Sequence, residues 1–160
     1  MEYKELTVNG IEIKVFKDGS VEKPARYSGK THTFGSNSHA YKRIRVGDKL
    51  FHVHCLVAMA FLSDYSENLK VDHIDGNGTN NSVSNLRMLT HQENCKAHRK
   101  NNKSSSSKHR GVSWRSGRNK WQVICNQVYI GLFENEKEAA KAWNTVAIAE
   151  GFLPEALNQI

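Results

Sequence analysis

Residues 71–94 read VDHIDGNGTNNSVSNLRMLTHQEN, and the rest of the chain is best understood outward from them. VDHI has the composition of a short strand, DGNGTNNSVSN is a polar run with two glycines, and LRMLT can return as a second strand. Thr90 and Glu93 then stand at capping-box spacing, which predicts a helix running to about Arg99. In a strand–loop–strand–helix order, the helix can fold back on the hairpin and bring distant residues together. Asp72 and His73 are adjacent, Asn85 lies 12 residues beyond His73, and Asn94 lies 21 beyond it. Phosphodiester hydrolysis suits such a set. It needs a divalent cation to neutralise the scissile phosphate and a neutral imidazole to take a proton from the attacking water. Asp72 and Asn94 offer hard oxygen ligands, which suit one magnesium or manganese ion and not zinc, while His73 offers the base.

Composition narrows the setting. The 160 residues allow one medium domain or two small ones, and a hydrophobic content of 38% is enough for folded structure. No apolar run approaches the ~20 residues of a membrane span, and the N-terminus has no signal-peptide core, so no membrane partner is expected. Three widely spaced cysteines without a CxxC disfavour a disulfide framework or a cysteine zinc site. A reducing, cytoplasmic setting follows as the expectation. The net charge of +7 points to a polyanionic partner, and its distribution is uneven. Eight of the 23 lysines and arginines fall within residues 99–120, which contain no acidic residue. Within that stretch KNNKSSSSKHR has linker composition, a solvated spacer whose Lys100 and Lys103 can also lie along phosphates.

Upstream, residues 1–53 read as strands. One hairpin is expected around Asp18-Gly19 and another around Gly47-Asp48, the second with Lys42, Arg43 and Arg45 crowded on one strand as DNA-contact candidates. HCLVAMAFL follows as a short buried helix. His52, His54 and His91 show no partner pattern and read as structural or surface residues. Arg87 reads equally as a solvated strand residue or a phosphate contact. Downstream, HRGVSWR, KWQVIC and VYIGLF read as three strands. After them Ala139, Ala140, Trp143, Val146 and Ala147 form the apolar stripe of a helix that packs on one face of that sheet and leaves the other free.

Residues 41–98 closely resemble the H-N-H homing-type endonucleases of phages and introns. The resemblance is carried by Val71 to Gly76, Asn85-Leu86 and Glu93-Asn94, and by the upstream VHCLVAMAF. It implies a ββα-metal motif in which His73 is the general base and Asp72 a metal ligand. Asn94 takes the last motif position as second metal ligand, and Asn85 pins the loop that orients His73. Cys55 departs from the pattern, standing where relatives usually have Arg, and reads as a small core residue. One such module carries one metal site, so a monomer on double-stranded DNA is expected to nick one strand.

Residues from about 108 to 152 resemble the Apetala-2-like, or ethylene-response-factor, DNA-binding domain. The matching residues are Arg110-Gly111-Val112, Lys120-Trp121, Ile130 to Phe133, Glu138 to Ala140 and Ala142 to Asn144, with Trp143 in place of the family's Tyr. The resemblance implies a three-stranded antiparallel sheet on one helix, entering the major groove. Strand alternation nominates Ser113, Arg115, Gln122, Asn126 and Tyr129 for base contacts, with Arg110 and Arg118 from strand start and turn; Trp114 and Trp121 read as packing residues.

The expected class is therefore α+β. Residues 1–98 hold a β-rich region and the nuclease module, with its ββα motif at about 70–98; 99–107 form a basic, Ser-rich linker; 108–160 form the DNA-reading domain. The expected function is a site-selective, metal-dependent DNA endonuclease, phage- or intron-encoded in a bacterial host. The alternative is a sequence-specific DNA-binding regulator whose H-N-H module is inactive, and an RNA-directed protein ranks below both.

Overall fold

The computed structural model describes residues 2–24, 32–98 and 105–160, and the chain divides into two units, Met1–His91 and Gln92–Ile160. The division falls several residues before the boundary at 98 expected from composition. Lys100 and Lys103, with most of the Ser-rich linker, lie outside the described residues.

In the first unit, β1 (Tyr3–Val8), β2 (Ile11–Phe16), β3 (Val21–Glu22) and β4 (His32–Thr33) form an antiparallel sheet in that order. Asn9 and Gly10, both at positive φ, make the tight turn between β1 and β2. Ile11, Ile13 and Val15 alternate inward along β2, as a half-buried strand requires. A second sheet holds β5 (Ser36–Ser38), β6 (Tyr41–Val46) and β7 (Lys49–His52). Alternation along β6 buries Ile44 and Val46 and puts Tyr41, Arg43 and Arg45 on the opposite face. Lys42 falls on the side of Ile44 and so is separated from the two arginines with which it was grouped.

The chain passes directly into α1 (Val53–Phe61), six of whose nine residues are buried. Such a helix is apolar nearly all round because both sheets and the final hairpin enclose it. Val53, Leu56 and Val57 are fully buried and share one core with Ile13, Val15, Val21, Val46 and Leu86. On that core rests the hairpin of β8 (Lys70–His73) and β9 (Leu86–Leu89), in which Asp72 faces Arg87 and His73 faces Leu86. The helix α2 (His91–His98) begins where the capping-box spacing expects it.

In the second unit, β10 (Val112–Arg115), β11 (Lys120–Cys125) and β12 (Val128–Phe133) form a three-stranded antiparallel sheet. The helix α3 (Glu136–Ala149) packs on it through Ala139, Ala140, Trp143 and Ala147. Asn135 caps α3 by accepting from Lys137 N at 2.8 Å. Ser107, assigned to the spacer by composition, is instead 6% exposed and donates to Glu136 Oε1 at 2.6 Å. The end of the Ser-rich run thus belongs to the folded unit.

Candidate nuclease site and nucleic-acid face

β8 places Asp72 and His73 at its buried end, 4% and 5% exposed. Their surroundings differ. The Asp72 carboxylate oxygen Oδ2 accepts from Arg87 Nε at 2.8 Å, and Nη2 of the same guanidinium lies 2.8 Å away. This two-pronged pair follows from their facing positions on β8 and β9. Arg87 is therefore neither solvated nor aimed outward, as the sequence allowed, but the partner of Asp72.

His73 Nε2 lies 3.1 Å from the side-chain oxygen of Asn81, itself 4% exposed. An amide oxygen only accepts, so this contact puts the ring proton on Nε2 and leaves Nδ1 as the basic nitrogen. Nothing in the sequence separated Asn81 from Asn77 and Asn80 in the same loop; only the doublet Asn80-Asn81 was visible. The turn between β2 and β3 holds Asn81 in place. Val83 N donates to Lys17 O at 2.9 Å, and Gly19, at φ +88°, lies so close to the Asn81 backbone that a Cβ would meet it at 2.8 Å.

Asn85 is 9% exposed and serves the loop with both ends of its amide. Its oxygen accepts from Asp75 N at 3.1 Å, and its nitrogen donates to Asp75 Oδ1 and to Asn80 O, each at 2.9 Å. Asp75 also accepts from Asn77 N and Asn80 Nδ2. Hydrogen bonds from Asn80, Asn77 and Asn85 hold the Asp75 carboxyl below its usual range. Gly76, at φ +71°, closes the turn by donating to His73 O at 2.8 Å.

Two further rings border His73, and a third, His52, packs on both of them. The centroid of His54 lies 5.1 Å away in an edge arrangement, His52 lies 5.1 Å beyond His54, and Tyr41 lies 6.0 Å from His73. Burial, with the nearby His73 and His52, pushes His54 down to about 4, so it is uncharged at neutral pH. Burial, with Arg43 nearby, also lowers His52. Of the three histidines that showed no partner pattern, His54 packs on His73 and His52 on His54, while His91 is exposed at the start of α2. Tyr41, unmarked in the sequence, joins the rings of His52, His54 and His73.

Asn94 stands half-buried on α2, in the second unit. A buried carboxylate and an amide oxygen are the oxygen donors a hard divalent cation takes. Among the described residues no three His, Cys, Asp or Glu side chains gather into a metal-holding group. The Asp72 carboxylate is an oxygen donor of the kind magnesium or manganese takes alongside several water ligands. Cys55 is half-buried on α1, its thiol pushed up by burial.

Residues 51–96 match the HNH endonuclease family model. The HNH segment thus spans α1, the β8–β9 hairpin and most of α2. Over 71 residues the chain is 44% identical to DNA endonuclease I-HmuI of Bacillus phage SP01, covering 42% of this chain and 41% of that protein. Over 54 residues it is 43% identical to the SPbeta prophage-derived protein YosQ of Bacillus subtilis (strain 168), which carries an HNH homing endonuclease name; this covers 34% and 31% of the two chains. The chain therefore spans about two fifths and about a third of those relatives. A solved structure described as DNA binding and cleavage by I-HmuI is similar at a TM-score of 0.47 and 38% identity, over 57% of this chain and 54% of that one.

In the second unit, Arg115, Arg118, Gln122 and Tyr129 line one open cleft on the sheet. Arg115 Nε donates to Gln122 Oε1, and Tyr129 is 55% exposed. Ser113 faces Gln122 across the strands and is half-buried. Trp114 and Trp121 face each other edge to face at 5.0 Å, Trp121 against the core and Trp114 36% exposed.

Two of the candidates are used otherwise. Arg110 donates to Lys96 O at 2.8 Å and Ala156 O at 3.3 Å, and its guanidinium lies over Trp143 and Phe152. That makes it an internal clasp of the second unit and removes it from the base-contact set. Asn126 sits at φ +48° in the β11–β12 turn, not on a strand, and donates to Glu150 Oε2 at 3.2 Å. Arg45 is exposed on the first unit and donates to Asp48 O.

Proposed function

We propose that the chain is a site-selective, metal-dependent DNA endonuclease of the homing type, with His73 as general base, nicking one strand of double-stranded DNA. The carrying observation is a buried Asp72-His73 pair, inside a segment matching the HNH endonuclease family, with His73 Nδ1 left basic by the Asn81 contact. Nδ1 takes the proton of the attacking water as its oxygen bonds to phosphorus and the bond to the leaving sugar oxygen breaks. Asn81 fixes the tautomer and ring plane of His73. Asn85 keeps the loop at 75–85 in the shape that presents Asn81. Asp72 would hold the metal, and Asn94, on the strength of its motif position alone, would be its second ligand. Bound there, one magnesium or manganese ion would neutralise charge on the scissile phosphate and the leaving oxygen.

The open sheet of the second unit supplies sequence selection through Arg115, Arg118, Gln122, Tyr129 and Ser113, in the manner of the Apetala-2-like domain it resembles. Arg43 and Arg45, with Lys42, Lys100 and Lys103, contribute contacts to the phosphate backbone. The protein acts as a monomer on DNA in the cytoplasm of a bacterial host, a setting in keeping with the phage and prophage origin of the relatives.

The test is a nicking assay on supercoiled plasmid carrying DNA from the gene's own locus. Nicked circles should form with magnesium or manganese, and EDTA should prevent them. His73→Ala should keep DNA affinity and cut roughly 10²–10⁴-fold more slowly. Tight, selective binding with no cutting under either ion would instead favour a DNA-binding regulator with an inactive H-N-H module.

A further inference from the structure

We propose that Tyr41 is a substrate-positioning residue of this nuclease site, its ring a fixed platform for the nucleotide flanking the bond that is cut. The inference rests on the nuclease reading above and deepens it. Tyr41 begins β6, and its side chain is 42% exposed, which in an ordinary surface tyrosine means rotational freedom. Here the ring is locked instead. It meets His52 edge-on at 5.7 Å, His54 at 5.1 Å and His73 at 6.0 Å. It also lies against Gly78, where a Cβ would come within 2.8 Å of ring atom Cδ1 and would collide with Ala40 O. The loop at 75–85 is thus seated directly on the tyrosine, and glycine is the residue that leaves room for it.

The ring thus stays partly open to solvent while its centroid lies 6.0 Å from that of His73. A locked, half-open aromatic next to a general base has the form of a contact surface for the reactant. The charge on the same strand says which chemistry it suits. Arg43 and Arg45 follow Tyr41 at alternate positions on one face of β6, at intervals of about 6.5 Å. Arg43 Nε is buried, with no hydrogen-bond partner among the described residues. An aromatic ring in line with two guanidinium groups is how proteins hold a nucleic-acid strand, base or sugar on the ring and phosphates on the cations.

The test combines the protein with altered DNA. A synthetic duplex carrying the mapped nick site is made intact, and then with an abasic nucleotide on either side of the nick; cutting is followed in single turnover with magnesium. For the wild-type protein, one of the two abasic duplexes should be cut about tenfold less efficiently, the range of one base–aromatic contact. Tyr41→Leu should lose a similar factor on intact DNA and lose little more on that abasic duplex. Tyr41→Phe, which keeps the ring, should recover most of the loss. Additive penalties for Tyr41→Leu and the abasic nucleotide would overturn the proposal. So would wild-type cutting that neither abasic position slows, a result that needs no variant to fold. Absence of cutting by wild-type protein on all duplexes would instead strike the nuclease reading itself.

Discussion

The hairpin site of the first unit and the sheet face of the second are both built from polar residues, yet they are opposite in construction. Around β8 the polar side chains are interior: Asp72, His73, Asn81 and Asn85 are each at most 9% exposed, and each has a named partner. On the sheet, Arg115, Arg118 and Tyr129 are exposed around an open cleft. Buried polar groups hold one geometry because an unmade hydrogen bond there is costly, whereas exposed ones can adapt to what they meet. Chemistry at phosphorus needs the first kind of region. Reading a groove uses the second.

The largest effect that would break this contrast is in the Asp72–Arg87 pair. Asp72→Ala leaves a guanidinium without its carboxylate and should cost roughly 3–5 kcal/mol of stability in denaturant unfolding as well as the cutting activity. Asp72→Ala with Arg87→Ala should restore much of the stability and none of the cutting. Restored cutting in the double variant would show the carboxylate to be only structural.

Acid should act on the first unit next. His54 titrates near 6.5 when unfolded and about 4 when folded, so the unfolded state binds the extra proton between those values. Its contribution is complete above pH 6.5 and is lost as pH falls to about 4, some 3 kcal/mol in all. His54→Phe should flatten that part of the stability–pH curve. An unchanged curve would remove His54 from the acid response.

Asn81→Leu should keep the fold and lower single-turnover cutting about 10²-fold with DNA affinity intact, since it frees the tautomer and ring plane of His73. A loss of affinity in place of rate would move Asn81 from the chemistry to DNA contact. The smallest effect belongs to the open face. Arg115→Ala should weaken binding or relax preference at one or two base pairs by about 1–3 kcal/mol, leaving the melting curve unchanged.

The two regions were also unequally legible. Asp72, His73, Asn85 and Asn94 stood out because residue chemistry, spacing and a family resemblance coincided on them. The burial of α1 followed from its apolar, small-residue composition, and the α3 stripe through Trp143 from apolar periodicity. The Asn9-Gly10 turn carries one of the strongest short-range hairpin signals. What escaped were partners supplied by tertiary structure. Asn81 reaches His73 across eight residues only because the β2–β3 turn supports its loop. Arg110 looks like a DNA contact in sequence, and its use as a clasp depends on Lys96 and Ala156, 14 and 46 residues away. Cationic residues advertise charge but not direction. Ser107 shows the same limit for composition: a serine run reads as solvated until one member is buried against a carboxylate.

The most direct test compares wild-type protein and His73→Ala in single-turnover nicking of supercoiled plasmid at matched DNA occupancy, with magnesium. Wild-type protein should convert the plasmid to nicked circles, and the variant should bind equally and cut roughly 10²–10⁴-fold more slowly. Equal cutting rates at equal occupancy would contradict the assignment of His73 as the base.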